Sequence, residues 1–154
     1  MVARLSHRLI IMLLVGLFVL ATGCSDSDGT NPRKTVIAMF GAMEKDDKAA
    51  LTALLDLSEL MLHINEDYAL QIESPRVFTS PEQILDDLTG EGLTKKRWFS
   101  LQRIISQSTT TGETAVVEVT FVDKEKSRGY RTKFGLHRTN GKWRISSFKT
   151  ISGG

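Results

Sequence analysis

Between residues 31 and 72 the apolar positions recur at three- and four-residue steps. Val36, Phe40 and Met43 form one stripe, widened by Ile37 and Met39. This spacing places them on one side of a helix with 3.6 residues per turn. Asn31-Pro32 opens that helix, because Asn caps well and Pro at the first helical position forfeits no hydrogen bond. Asp46-Asp47 interrupts the stripe and caps a second helix with Leu51, Leu54 and Leu55 on its buried side. Leu60, Ile64, Tyr68 and Ile72 then follow at four-residue steps, which predicts a third helix from a cap at Ser58 to about Ile72. Ser74-Pro75 stops it, since the residue before a proline is pushed out of the helical region. Ser80-Pro81-Glu82-Gln83 reads as a capping box for a short helix through Leu88, ended near Gly90.

From Lys95 onward the period shortens to two. Residues 97–108 read as a strand. Residues 114–123 alternate Val117, Val119 and Phe121 against Glu118 and Thr120. Residues 129–138 alternate Tyr130, Thr132, Phe134 and Leu136 against Arg131, Lys133 and His137, and residues 142–151 close the chain as a last strand. Asn140-Gly141 between the last two is the signature of a two-residue type I′ hairpin turn. That loop length pairs Thr139 with Lys142 and Leu136 with Ile145, so turn chemistry and apolar pattern give one register. Helices followed by consecutive antiparallel strands predict an α+β domain, with N-terminal helices packed on one face of a curved sheet of about four strands. The sequence carries no internal repeat and no low-complexity tract.

Upstream of this domain the pattern is different. Residues 9–21 are thirteen unbroken apolar or glycine residues, preceded by Arg4, His7 and Arg8. The run falls short of the ~20 residues that a membrane-spanning helix needs, and it has the make-up of a secretory signal peptide. Its exit, Ala21-Thr22-Gly23-Cys24, resembles the bacterial lipobox, with Ala21 standing where Leu is usual. The resemblance implies cleavage before Cys24 and acylation of its thiol and new amino terminus. The expected division is therefore a signal peptide at 1–23, a polar tether at 24–30 and one domain at 31–154. Cys24 is the only cysteine, so the mature chain forms no internal disulfide even after export. Serine rather than aspartate at position 25 directs such a protein to the outer membrane, facing the periplasm, in a Gram-negative host.

The opening helices, with Pro32, the Val36/Phe40 stripe and Asp46-Asp47, and the closing Gly141-Lys142-Trp143-Arg144-Ile145 resemble the nuclear transport factor 2-like superfamily, the cystatin-like cone. More narrowly they resemble small bacterial lipoproteins of unknown function within it. Some superfamily members are isomerases or dehydratases that use an Asp or His base and a Tyr donor inside the cone. The resemblance therefore nominates Asp56, His63 and Tyr68 as pocket residues. Such a pair of base and phenol is sound acid–base chemistry. Read from the residues alone, Tyr68 belongs to the core stripe, His63 adjoins it and Asp56 caps a helix.

Catalytic and metal motifs are absent from the sequence: it has no H-E-x-x-H, no C-x-x-C, no phosphate-cradling glycine loop and no nucleophile elbow. No catalytic residue, cofactor or metal is expected. Phe40, Phe99, Phe121, Tyr130, Phe134, Trp143 and Phe148 are expected to pack between sheet and helices, with a small apolar ligand as the alternative use of that interior. Charge adds one feature. Residues 24–94 hold 14 acidic and 5 basic residues, and residues 95–154 hold 4 and 13. If Tyr130, Phe134, Leu136 and Ile145 face the helices, Arg131, Lys133, His137 and Arg144 face away. Those four are the expected partner-binding face, for an anionic surface or an envelope protein. One basic cluster with an aromatic, Lys95 to Trp98, does not make a nucleic-acid site. The expectation is a lipid-anchored, non-enzymatic binding module. The alternatives are a cone enzyme acting on a small apolar substrate and a purely structural lipoprotein.

Overall fold

A computed structural model describes residues 31–67 and 77–151, and for residues 65–67 the backbone alone. Cys24, the leader, the tether, Tyr68, Ile72 and Ser74-Pro75 lie outside the described residues. Helix α1 (Pro32–Glu44) starts as its sequence dictates. Asn31 is extended, and its side chain accepts hydrogen bonds from the backbone N–H groups of Arg33 and Lys34. Val36, Met39, Phe40 and Met43 are buried on the inner side. Asp46 adopts the left-handed conformation (φ 56°), and Asp47 caps α2 (Lys48–Leu54) by accepting from the Ala50 N–H at 2.8 Å.

The third helix, α3 (Leu57–Asp67), is capped by Asp56 rather than Ser58: Asp56 Oδ1 accepts from the Glu59 N–H at 3.1 Å. The cause is tertiary. Leu55 is extended and forms a parallel bridge with Ile145 of the last strand, while the Asp56 N–H donates to the Ile145 carbonyl at 2.8 Å. The chain leaves the sheet edge at Asp56, and Ser58 already sits inside the first turn. Leu60 and Ile64 of α3 are buried, as the stripe requires.

Helix α4 (Pro81–Asp87) starts where the capping box predicts but with a shifted bond. Gln83 Oε1 accepts from the Thr79 N–H at 2.8 Å, whereas the Ser80 hydroxyl makes no capping bond. Residues 97–99 depart from expectation. They end a helix, α5 (Leu93–Phe99), where period-two alternation predicted the start of a strand. Asp87 is buried and accepts from the Leu93 and Thr94 N–H groups, which starts the helix, and Thr94 and Trp98 then share its inner side.

Four strands follow: β1 (Gln102–Thr111), β2 (Thr114–Asp123), β3 (Arg128–Thr139) and β4 (Lys142–Ile151). They pair antiparallel in chain order. Asn140 (φ 52°) and Gly141 (φ 76°) form the β3–β4 turn, and the pairing Thr139–Lys142, Leu136–Ile145 is as the two-residue loop specifies. A bulge then intervenes, because Gly135 pairs with Ser147 while Leu136 pairs with Ile145. The extra residue reverses the parity of β4, so Trp143, Ile145 and then Phe148 all point into the core. Helices cover one face of the curved sheet, with α1 across it and α3 along β4.

Candidate functional site: interior, edge and outer face of the sheet

Aromatic rings fill the space between α1, α5 and the sheet. Trp98 is 0% exposed and has ring neighbours Phe40, Phe121, Phe134 and Phe148 at 5.5–5.6 Å between centroids. Phe121 stacks on Trp98 and also on Tyr130, the latter at 5.0 Å. Two guanidinium groups close the margin of this cluster. Arg97 stands 5.0 Å from the Tyr130 ring centroid and Arg103 stands 3.9 Å from that of Phe99. Trp98 Nε1 is buried without a hydrogen-bond partner among the described residues, and the Tyr130 hydroxyl is buried beside Arg97. Burial pushes the Tyr130 phenol above its ordinary value, against a smaller opposing pull from the Arg97 charge. The ring interior thus holds little polar chemistry among the described residues.

Asp56 and His63 do not meet. His63 is half-exposed on α3, 3.8 Å from Glu59 one turn away. Asp56 instead joins His137: Asp56 Oδ2 and His137 Nε2 are 3.0 Å apart at the β4 edge. Beside them, Arg144 Nη2 donates to the Thr52 carbonyl at 3.0 Å. Thr52 lies in the last turn of α2, where carbonyls lack intrahelical partners and attract cations. Two of the four outward-facing residues, His137 and Arg144, therefore clamp the α2–α3 corner to the sheet.

The remaining outward cations belong to an exposed surface. Arg131 and Lys133 of β3 lie on the face opposite the core, as alternation predicts. Arg131 pairs with Glu118 of β2 at 3.4 Å. Lys133 lies directly opposite Lys149 of β4, and among the described residues neither has an ion-pair partner. Like charges at directly opposed positions destabilise a sheet. Simple alternation from Arg144 would have turned Lys149 inward; the bulge turns it out. The signal was present in residues 145–148, where Ser146-Ser147 separates Ile145 from Phe148 by an odd step. Ile104 of β1 and Val116 of β2 extend this face with apolar surface, at 54% and 41% exposed. Gly135 leaves its centre without a side chain, apart from the Ser147 hydroxyl leaning over it.

No family model matches the sequence, and no curated protein is similar to it. Solved structures align with most of the chain. A candidate dehydratase of the NTF2-like family from Streptomyces avermitilis superimposes with a TM-score of 0.51 at 17% identity, over 83% of this chain and 97% of the other. A substituted form of Rd1NTF2_05 does so with a TM-score of 0.51 at 16% identity, over 77% and 95%. The domain has the NTF2-like fold. At such identities the likeness is one of architecture: among the described residues, helices on one face of a curved four-stranded meander. In this NTF2-like domain Trp98 and its four phenylalanines occupy the space between helices and sheet. Among the described residues no group of three potential metal ligands occurs, and no helix is long and apolar enough to cross a membrane.

Proposed function

We propose that this protein is a lipid-anchored bacterial envelope protein whose NTF2-like domain is a non-enzymatic binding module, and that the outer face of its sheet is the docking surface. One observation carries the docking half: Lys133 and Lys149 stand opposite each other on an exposed face, and Glu118, opposite Lys133 on β2, is paired with Arg131 instead. An anionic partner relieves their repulsion. The dense aromatic packing around Trp98 supports a role outside the interior. The basic leader, the apolar run and the small residues before Cys24 support the anchor.

The test has two arms. Mass spectrometry of the protein purified from bacterial membranes should find Cys24 as an acylated first residue; a free Cys24 thiol ends the anchor reading. The wild-type protein should bind an anionic partner, presented either as anionic lipid vesicles or as membrane extract in mild detergent. The charge-reversed variant Arg131→Glu/Lys133→Glu/Lys149→Glu should lose it. Equal retention by both proteins removes the outer face from the function.

A further inference from the structure

We propose that the outer sheet face rests on the anionic lipid surface that holds the anchor, with Ile104 directed at the headgroup layer and Arg131, Lys133 and Lys149 at lipid phosphates. This rests on the lipid-anchor reading and names the partner of that face. Two observations converge on it. The face is sided. Its β1–β2 half presents exposed Ile104 and Val116, and its β3–β4 half presents the cations. Apolar contact beside lysines suits a membrane interface, where acyl-proximal burial and headgroup attraction act together.

The tether also ends in the right place. Arg33 Nε and Nη2 donate to the Ile105 carbonyl at 3.4 Å, which fixes the start of α1 beside β1 and next to Ile104. Six residues lie between Cys24 and Asn31, so the seven Cα steps reach at most about 25 Å when fully extended. An acylated Cys24 therefore holds the β1 edge within that distance of the headgroups, from which the outer face can close to the contact range where headgroup attraction acts.

A protein partner fits less well. Protein interfaces draw their affinity from buried aromatic and arginine anchors seated in pockets. Every tyrosine, tryptophan and phenylalanine of the described strands points inward or lies within the core layer. Around Gly135 the outer face offers no aromatic group to such a partner.

The experiment uses the full lipidated chain, in which acylation of Cys24 leaves an introduced cysteine as the one labelling site. A polarity-sensitive fluorophore is placed at Ile104→Cys on the outer face or at Leu62→Cys on the exposed side of α3. Each protein is reconstituted into vesicles of phosphatidylcholine alone or of phosphatidylcholine with phosphatidylglycerol. With phosphatidylglycerol the label at position 104 should shift to the blue, and the shift should vanish in high salt and in the Arg131→Glu/Lys133→Glu/Lys149→Glu background. The label at position 62 should stay water-like throughout. A water-like label at 104 in both vesicles, or an equal, salt-insensitive shift in both, overturns the proposal while co-flotation with vesicles still upholds the anchor. A shift that appears only on adding envelope proteins assigns the face to a protein and also overturns it. Failure to float, with two labels per chain, defeats the anchor reading itself.

Discussion

Asp56 and His137 meet at 3.0 Å across the β4 edge, and through them the corner between α2 and α3 is fastened to the sheet. Asp56 has three roles at once. One carboxylate oxygen caps α3 through the Glu59 N–H, the other pairs with His137, and its own N–H donates to the Ile145 carbonyl. Both carboxylate oxygens and the backbone N–H of Asp56 thus have partners within the fold.

That arrangement separates two candidate caps. Asp56→Ala should destabilise the domain by about 1–2 kcal/mol, the usual cost of losing an N-cap. Ser58→Ala should change stability by less than about 0.5 kcal/mol, as expected for a surface position inside the first turn. Urea unfolding of both variants checks this. A larger loss for Ser58→Ala would mean that the capping geometry is misassigned.

Trp98 should be the most costly single truncation in the sheet–helix interface. It is fully buried and stacks on or edges against four phenylalanine rings. Trp98→Ala should cost roughly 3–5 kcal/mol, a large part of the total for a domain of this size. Equilibrium denaturation followed by circular dichroism measures it. A loss near 1 kcal/mol, the mean of ordinary substitutions, would place the ring at the surface.

Tyr130 supplies a pH dependence. Its phenol is raised above the ordinary value of 10.0 because burial disfavours the phenolate. The folded protein therefore holds this proton where the unfolded chain has lost it, so stability is intact below about pH 10 and falls as pH rises beyond it. Tyr130→Phe should cost no more than about 1.5 kcal/mol at neutral pH, the net worth of the Arg97 hydrogen bond to the hydroxyl. Above pH 10 the wild type should lose stability more steeply than the variant. Parallel stability–pH curves for the two proteins would show that Tyr130 titrates as an exposed phenol.

The local grammar of this chain was legible in its residues. Asn31-Pro32 and Asp47 had to cap helices because their side chains satisfy N–H groups that a helix leaves free. Asn140-Gly141 had to turn, and a two-residue turn allows one register, so the Leu136–Ile145 pairing followed. The α+β class followed from a change of period. Tertiary contacts decided what those rules leave open. Residues 97–99 could serve either period, and the helix prevailed because Asp87 caps it and Trp98 reaches the phenylalanine cluster from it. Ser58 yielded to Asp56 because the preceding backbone is held extended by Ile145. The bulge beyond Ile145 turned Phe148 in and Lys149 out, which set two lysines face to face on the outer surface. A candidate base, Asp56, and a candidate surface histidine, His137, became partners only once β3, β4 and the α2–α3 corner were packed together. Pairings between residues so distant in the chain depend on how whole elements dock, and no local spacing encodes them.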